Sequence, residues 1–318
     1  MNAYAIRRIL RGFVTLFVSI TITFLILRLM PGNPADLVVE FGMTAEMRES
    51  ILRDFGLDKP VGMQYLIYLK QLAVGNMGTS FRSLTPVSQL LMERLPMTLI
   101  LTISAYVITL LVGLPLGIVA AVKKGGVIDW AVTAGAILGN SIFIPWLGIM
   151  LLYIFGYRIG WFPIGGAMDI GAEGLDKALS LVRHLVLPVA TLVCVQISQY
   201  VLFLRTGMVD VLQEDYIRTA NAKGLSNWVV LYKHALKNAF IPALTMMGLQ
   251  MGFLVGGAVL TETVFSYPGI GRLIYESVLQ LDYPVLQGAF IVLAATVLVA
   301  NIITDLCYGL LDPRIRYN

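Results

Sequence analysis

Histidine and cysteine side chains often bind metals or transfer protons, and this chain has few of them. Its two histidines, His184 and His234, and its two cysteines, Cys194 and Cys307, are far apart and lack CxxC spacing. No G-x-x-x-x-G-K-S/T, H-E-x-x-H or G-x-S-x-G pattern occurs, so nothing indicates a P-loop, a zinc hydrolase or a serine nucleophile. We predict that the chain is not an enzyme and holds neither a cofactor nor a metal ion.

Polar side chains within apolar stretches are the next candidates, because such groups in a membrane protein are often functional. Gln196, Gln199 and Gln250 lie in stretches that contain no charged residue. Together with Met246 they are predicted to line a translocation path, with interhelical hydrogen bonding as the alternative for each glutamine. No carboxylate falls in the middle of an apolar stretch, which disfavours a carrier driven by protons or sodium.

The segment from Gln213 to Ser226 has the signals of a short polar helix. Glu214 and Asp215 suit its first turn, Lys223 suits its last turn, and Gly224 suits the position just after its end. A second, amphipathic run follows at 227–239. We predict that the short helix lies at the membrane surface and docks a soluble partner.

The composition of the chain predicts the kind of fold that positions these residues. Of the 318 residues, 58% are hydrophobic and only 13% are charged, against about 25% charged in an average soluble domain. A soluble core of this size could not bury so much apolar surface, so the sequence predicts an all-α membrane protein. The net charge is +4 without any long basic run, so nucleic-acid binding is not expected.

Six stretches are long and apolar enough to cross a bilayer, which takes about 20 residues. The N-terminal one reads as a retained span rather than a cleaved signal peptide, because no small-residue cleavage site follows it. Kinks are expected at Pro115, Pro145 and Pro188. The predicted transmembrane helices are 9–30, 97–122, 131–157, 185–204, 240–261 and 284–306.

Loop charge sets the orientation of these spans. Basic residues concentrate in 1–8, 123–130, 205–239 and 307–318, whereas acidic residues concentrate in the intervening loops. Both termini are therefore predicted to be cytoplasmic. The predicted parts are 1–30 (N-terminus and first helix), 31–96 (an extracytoplasmic segment with a helix at Thr44–Phe55), and 97–318 (a five-helix core with a cytoplasmic loop at 205–239).

Small residues recur on helix faces at intervals of four. Gly248, Gly252 and Gly256 do so in the fifth predicted span, which allows another backbone to approach closely. Either packing within this chain or a dimer face would use such a surface.

The loop at 205–239 resembles the EAA loop of ABC-transporter permeases, in the form found in the dipeptide/oligopeptide/nickel branch. Arg218-Thr219-Ala220 occupies the place of the Glu-Ala-Ala triplet, and Gly224 that of the invariant glycine. The absent Glu fits this branch, whereas Asn221 stands where an Arg is expected. Further matches along the chain are Met30-Pro31-Gly32-Asn33-Pro34, Phe55-Gly56-Leu57-Asp58-Lys59-Pro60, Gly75-Asn76-Met77-Gly78-Thr79-Ser80, Leu95-Pro96-Met97-Thr98, Phe265-Ser266-Tyr267-Pro268-Gly269-Ile270-Gly271, Asp282-Tyr283-Pro284 and Asp312-Pro313-Arg314-Ile315-Arg316-Tyr317.

The resemblance implies the B-type permease subunit of a binding-protein-dependent importer in a bacterial or archaeal cytoplasmic (inner) membrane. Its partners would be a second, homologous permease, two ATPase subunits or domains that bind ATP and Mg²⁺, an extracytoplasmic solute-binding protein and the lipid bilayer. Tyr267, Pro268 and Asp282 are predicted to belong to the binding-protein platform, formed by 31–96 and 262–283. The coupling helix would contact an ATPase through Glu214, Asp215, Arg218, Thr219, Ala220, Ala222, Lys223, Gly224 and Leu225.

The sequence leaves the substrate open. Peptides are favoured because most of this branch carries them; nickel chelate, glutathione, opine and oligosaccharide are the alternatives within the same importer class. A passive channel or secondary carrier would explain the spans but not the loop at 205–239. A membrane enzyme would need a constellation of residues that the sequence does not contain.

Overall fold

The structure is a computed structural model that describes residues 2–29 and 59–311. The side chains of residues 2–9, 241–242, 244–245, 249, 251–257 and 305–311 are not part of that description. The helix predicted at Thr44–Phe55 therefore lies outside the described residues, as do 30–58 of the predicted extracytoplasmic segment.

The described chain is helical, and within it only an isolated bridge pairs Thr79 with Pro86. A π-helical segment, Leu152–Arg158, continues α5, and a short helix (Asn227–Val229) and a second π-helical segment (Val230–Ala235) lead directly into α8. The helices are α1 (Asn2–Leu29), α2 (Val61–Ala73), α3 (Val87–Val122), α4 (Val127–Ser141), α5 (Ile144–Leu151), α6 (Gly174–Leu212), α7 (Asp215–Ala222), α8 (Leu236–Val264), α9 (Ile270–Leu279) and α10 (Tyr283–Leu311).

Among the described residues, four helices are long and apolar enough to cross a membrane, namely α1, α3, α6 and α10. A fifth span results if α4 and the α5 segment are taken together, although these two are bent by 102° relative to each other. The break lies within the span predicted at 131–157, directly before Pro145, where a kink was expected. Ile142 is extended, and Pro145 has no N–H with which to continue the helix from Ser141.

Several helices extend beyond the predicted spans. Helix α3 begins at Val87 rather than at residue 97, and α6 covers Gly174–Leu212 rather than 185–204. Both continue through an internal proline, Pro115 in α3 and Pro188 in α6. The apolar pattern therefore marks only the central part of these helices, because their polar ends carry no such signal.

The first compact unit contains residues 1–98 and 268–299. Its core packs the ends of α3, α9 and α10 around buried aliphatic and aromatic side chains. A smaller cluster joins α1 to α2 through Phe24, whose ring stacks on Tyr68 with centroids 5.5 Å apart. The main core consists of Leu27, Phe81, Val87, Leu91, Ile270, Leu273, Ile274, Tyr283, Val285, Leu286 and Ala289.

The second compact unit contains residues 99–267 and 300–318. Here α3 and α4 approach α6 closely at small residues. A Cβ atom at Gly117 would lie 3.0 Å from the Val201 carbonyl oxygen, and one at Gly139 would lie 2.8 Å from the Cys194 carbonyl oxygen. Glycine is required at both places because these helix backbones are almost in contact.

Gly248 packs inside the same unit. A methyl group there would overlap the side chain of Thr304 on α10. Of the three glycines predicted to pack together, this one therefore faces a helix of its own chain. Gly252 and Gly256 lie in α8, and their surroundings are outside the description.

Candidate coupling surface and polar path

Helix α7 has the boundaries that its sequence predicts. Glu214 precedes it in an extended conformation, Asp215 lies in its first turn, and Lys223 ends it. Gly224 then adopts φ +75°, the left-handed conformation that glycine tolerates best. The N–H of Gly224 bonds to the Asn221 carbonyl at 3.0 Å and that of Leu225 to the Ala220 carbonyl at 3.4 Å, which is a Schellman motif.

One side of α7 is buried against the chain. Ile217 and Ala220 are only 2% and 6% exposed, and they join a cluster with Leu204 and Met208 of α6. The same cluster includes small residues at the start of α8, such as Ala239. The α6–α8 core therefore fixes the position and direction of α7.

The rest of α7 is available to a partner. Eight of the nine predicted contact residues are exposed, whereas Ala220 points into the chain. Ala220 therefore supports the helix rather than forming part of its outer face. The exposed residues are Glu214, Asp215, Arg218, Thr219, Ala222, Lys223, Gly224 and Leu225.

Two polar contacts accompany this surface. The Asn238 amide donates to the Tyr216 hydroxyl at 2.8 Å, which connects α7 to the start of α8. Arg218 pairs with Asp215 at 3.2 Å, but both side chains are largely exposed. Such an exposed pair contributes little to stability, so both charges remain available for an interface.

Asp129 and Arg205 form a contact that sequence reasoning missed. Asp129 is buried in the first turn of α4 and binds the Arg205 guanidinium of α6 through both carboxylate oxygens, at 2.7 Å for Oδ2. The same carboxylate accepts from the Gly125 N–H at 2.9 Å and the Thr133 hydroxyl at 3.2 Å. The only sign of this contact in the sequence was one acidic residue, Asp129, and one basic residue, Arg205, at the ends of apolar segments.

The predicted path residues lie on α6 and α8. Gln250 donates from its amide to the Gln199 amide oxygen, so the structure brings these two together. Gln199 is exposed, and Gln196, Gln250 and Met246 are half-buried. The Gln199–Gln250 pair is neutral and keeps further donors and acceptors available, so it can hydrogen-bond polar solutes without favouring either charge.

A tyrosine cluster lies close to this pair. The Tyr106 hydroxyl donates to the Met247 carbonyl at 3.0 Å, and the Tyr106 and Tyr200 rings meet edge to face at 6.3 Å. Because α3 and α6 each supply one tyrosine, the cluster fixes α8 against both helices. It thereby positions Gln199 and Gln250 at adjacent places on the α6–α8 surface.

Two of the predicted platform residues have buried side chains. Asp282 accepts from the Ser80 hydroxyl at 2.5 Å and from the Phe81 N–H at 3.2 Å, joining the loop before α10 to the loop before α3. Tyr267 is fully buried, and burial raises the pKa of its phenol. Pro268 is half-buried. Asp282 and Tyr267 therefore stabilise the loops that carry them from buried positions.

His184 lies in the N-terminal third of α6. Its contacts indicate a structural role. His184 is buried and its Nδ1 donates to the Ser180 carbonyl at 2.8 Å. Ser180 in turn donates from its hydroxyl to Asp169 Oδ2 at 2.7 Å. Within the described residues, no three His, Cys, Asp or Glu side chains are placed to hold a metal ion.

The fold and this surface define a polytopic helical membrane protein with a short helix presented outside the apolar region. Comparison with known families is more specific. The family model "binding-protein-dependent transport system inner membrane component" matches residues 113–317, and the corresponding N-terminal model matches residues 1–102. The chain belongs to this family.

Known relatives are similar over the whole chain. The dipeptide transport system permease protein DppB of Alkalihalophilus pseudofirmus is 40% identical over 333 aligned residues, covering 100% of both chains. The oligopeptide transport system permease protein AppB of Bacillus subtilis is 36% identical over 318 residues, again with 100% of both covered. The di/tripeptide permease DppB of Pseudomonas aeruginosa is 38% identical, with 100% and 99% covered.

A solved transporter structure is similar in fold. It is the MetNI methionine ABC transporter in inward-facing conformations, with a TM-score of 0.56 and 17% identity, covering 71% of this chain and 97% of that chain. At this identity the similarity concerns the fold alone. It agrees with the family assignment, because both chains are helical components of ABC transporters.

Proposed function

We propose that this chain is the permease subunit of an ATP-driven, binding-protein-dependent importer of di- and oligopeptides. The observation that carries the proposal is the geometry of α7, whose polar face is exposed while Ile217 and Ala220 hold it on the α6–α8 core. An exposed helix held in this way can transmit the movement of a docked ATPase. The peptide substrate is supported by the names of relatives at 36–40% identity.

The ATPase would dock on the outer face of α7. Asp215, Arg218 and Lys223 offer both signs of charge there, and Leu225 offers an apolar contact. ATP and Mg²⁺ would bind to the ATPase subunits, so hydrolysis takes place outside this chain. Closure of the ATPase pair would favour one of two arrangements of the helices, because docked ligands shift existing equilibria.

The proposed topology has six spans with both termini cytoplasmic. Four helices and the bent α4–α5 pair account for five of them, and α8 supplies the sixth, since 240–261 carries no charged residue. The basic loops at 123–130 and 205–239 support a cytoplasmic placement. The inner bacterial or archaeal membrane is the expected location.

The extracytoplasmic platform would be built from 31–96 and 262–283. Asp282 holds two loops of this surface together through Ser80 and Phe81, and buried Tyr267 anchors the chain after α8. Their exposed neighbours would contact the solute-binding protein. A homologous second permease would complete the translocation path beside Gln196, Gln199, Gln250 and Met246.

Neutral hydrogen bonding adds to the support that the relatives give for a peptide substrate. The Gln199–Gln250 pair offers amide donors and acceptors but no fixed charge, which suits peptide backbones of varied sequence. Nickel chelate, glutathione, opine or oligosaccharide remain alternatives for the same importer. A passive channel or secondary carrier is the alternative outside the class.

Reconstitution tests the proposal. The chain, its homologous permease and its ATPases are placed in proteoliposomes, and uptake of labelled di- and tetrapeptides is measured with and without ATP and the binding protein. Peptide uptake that requires both supports the proposal. ATPase stimulation by the binding protein without peptide uptake overturns the substrate, and flux through the isolated chain without ATP overturns the importer class.

A further inference from the structure

An open groove lies between α4 and α6, next to the loop that joins α3 to α4. Its volume is about 340 Å³, within the range of small-molecule sites. Its lining includes the side chains of Asp129, Trp130, Thr133, Ala134, Ile137 and Arg205, together with Gly125 and Gly126. None of these residues belongs to the coupling surface or to the polar path.

The groove changes from polar to apolar along its length. Gly125, Asp129 and Arg205 lie at the end next to the loop, whereas Trp130, Ala134 and Ile137 follow one face of α4. Trp130 and Ile137 are 74% and 54% exposed. At a rise of 1.5 Å per residue, this apolar face extends roughly 10 Å beyond the polar end.

The polar end has an excess of positive charge. Asp129 is engaged by Nε and Nη2 of Arg205, which leaves Nη1 of the guanidinium directed elsewhere. Lys123 and Lys124 precede the groove in the same loop; both are exposed, and no ion pair joins either one to a carboxylate of the described chain. Two lysines in the adjoining loop, added to the paired Arg205 and Asp129, therefore give the region around this end of the groove a net positive charge.

The loop backbone leaves room for a bulky group. Gly125 has φ +77°, and no atom lies within 4 Å of the place a side chain would occupy. A ligand can therefore approach the main chain here. The same glycine donates its N–H to Asp129, which holds the loop open beside the lysines.

The position of the groove points to its occupant. The groove begins at the basic loop that joins the apolar helices α3 and α4. Trp130 lies next to this loop, and tryptophan is common where a protein crosses the membrane–water interface. From there its apolar face continues along α4 toward the bilayer centre. Its charge and polarity match those of a lipid with an anionic head and an acyl chain.

We propose that this groove binds an anionic glycerophospholipid. The phosphate and glycerol group lie against Lys123, Lys124 and Arg205, and one acyl chain lies along Trp130, Ala134 and Ile137. The proposal is independent of the transported substrate, because it depends only on this groove and on its level in the membrane.

Trp130 provides a direct probe. The assembled transporter is reconstituted with equal mole fractions of brominated phosphatidylglycerol or brominated phosphatidylcholine, and the Trp130 signal is taken as wild type minus Trp130→Phe. The relative association constant obtained from the quenching should favour phosphatidylglycerol on the order of fivefold for each lysine that engages the headgroup. In Lys123→Gln/Lys124→Gln the two lipids should quench equally.

Two matched controls separate the groove from general effects. Lys177→Gln, an exposed lysine near the other end of α6, should retain the lipid preference. Ala134→Phe fills the groove and should reduce quenching, whereas Leu138→Phe, exposed on α4 outside the groove lining, should not. Equal quenching in the wild type, a preference that survives loss of both lysines, or no quenching by either lipid because protein covers the groove would each overturn the proposal.

Discussion

Asp129 binds Arg205 through both carboxylate oxygens although the two residues are 76 positions apart in the chain. This contact joins the first turn of α4 to α6, about two helical turns before α6 ends at Leu212. Arg205 directly follows Leu204, a member of the cluster that holds α7. The pair therefore stabilises the part of the structure on which α7 rests.

Neutralising either member of this pair should destabilise the transporter. Asp129→Asn and Arg205→Gln each leave a desolvated partner, so both should lower the melting temperature by several degrees, and the double variant should lose less than the sum of the two. The measurement is thermal unfolding of the purified complex. Asp215→Asn and Arg218→Gln, in the exposed pair, are the control and should change stability by under about 0.5 kcal/mol. Equal effects in the two pairs would contradict the buried role of Asp129.

Gly224 should tolerate asparagine better than valine. The space around it is open, so the cost of substitution comes from its φ of +75° and not from a clash. A Cβ in this conformation costs about 1–2 kcal/mol, less for Asn and more for a β-branched residue. ATP-dependent uptake, normalised to the amount in the membrane, should be near normal in Gly224→Asn and strongly reduced in Gly224→Val. Normal uptake in the valine variant would show that the end of α7 is not required.

Ala220 and Ala222 should respond differently to the same change. Ala220→Phe places a ring inside the α6–α8 cluster, where overpacking typically costs about 1–3 kcal/mol, so it should lower the melting temperature and impair transport. Ala222→Phe alters only the exposed face and should leave thermal stability unchanged while weakening ATPase association. Co-purification of the ATPase and a thermal scan on both variants separate the two effects. Loss of stability in both would argue that Ala222 is also buried in the complex.

Gly248 and Thr304 should behave as a coupled pair. Gly248→Ala overlaps the Thr304 side chain and should destabilise the chain. Thr304→Ala removes the overlapping methyl group, so the double variant should recover part of the loss. Unfolding of the two single variants and the double variant forms a complete cycle. Strictly additive effects would show that these two helices do not pack at this point.

Removing the Asp282 carboxylate should impair stimulation by the binding protein. Asp282→Ala leaves the Ser80 hydroxyl and the Phe81 N–H without their partner, at a cost of about 1–3 kcal/mol. Ser80→Ala removes only one of the two bonds and should have a smaller effect. The readout is ATPase activity as a function of binding-protein concentration. Unchanged half-saturation in Asp282→Ala would show that these loops lie outside the platform.

Residues close together in the sequence predicted α7 well. The boundaries of α7 depend on Glu214, Lys223 and Gly224, which lie within one short segment, and the structure has the helix where they place it. The sequence could also have predicted that Ala220 points into the chain, because Ile217 and Ala220 are three residues apart and share a helix face. The centres of the spans predicted at 9–30, 97–122, 185–204 and 284–306 fall within apolar helices for the same reason, since hydropathy is a property of a continuous segment.

Contacts between distant segments could not be predicted in this way. Nothing near Asp129 indicates that Arg205 is its partner, because the pairing depends on how α4 packs on α6. The sequence predicted a kink at Pro145 but not the size of the bend, 102° between α4 and α5, because averaged hydropathy is insensitive to a break of two residues. Pro145 carried a signal for it, but Pro115 and Pro188 carry the same signal in helices that continue.

Helix α6 is long enough to act as a lever. Its 39 residues span roughly 58 Å at 1.5 Å per residue, more than the roughly 40–45 Å of a whole bilayer. Pro188 interrupts its hydrogen-bond ladder, and roughly 36 Å of helix separates that point from Leu212. A rotation of about 10° at Pro188 would then displace the α7 end by roughly 6 Å. With an ATPase docked on α7 as proposed, a small angular change at Pro188 and a much larger displacement at the docking site would be the same movement.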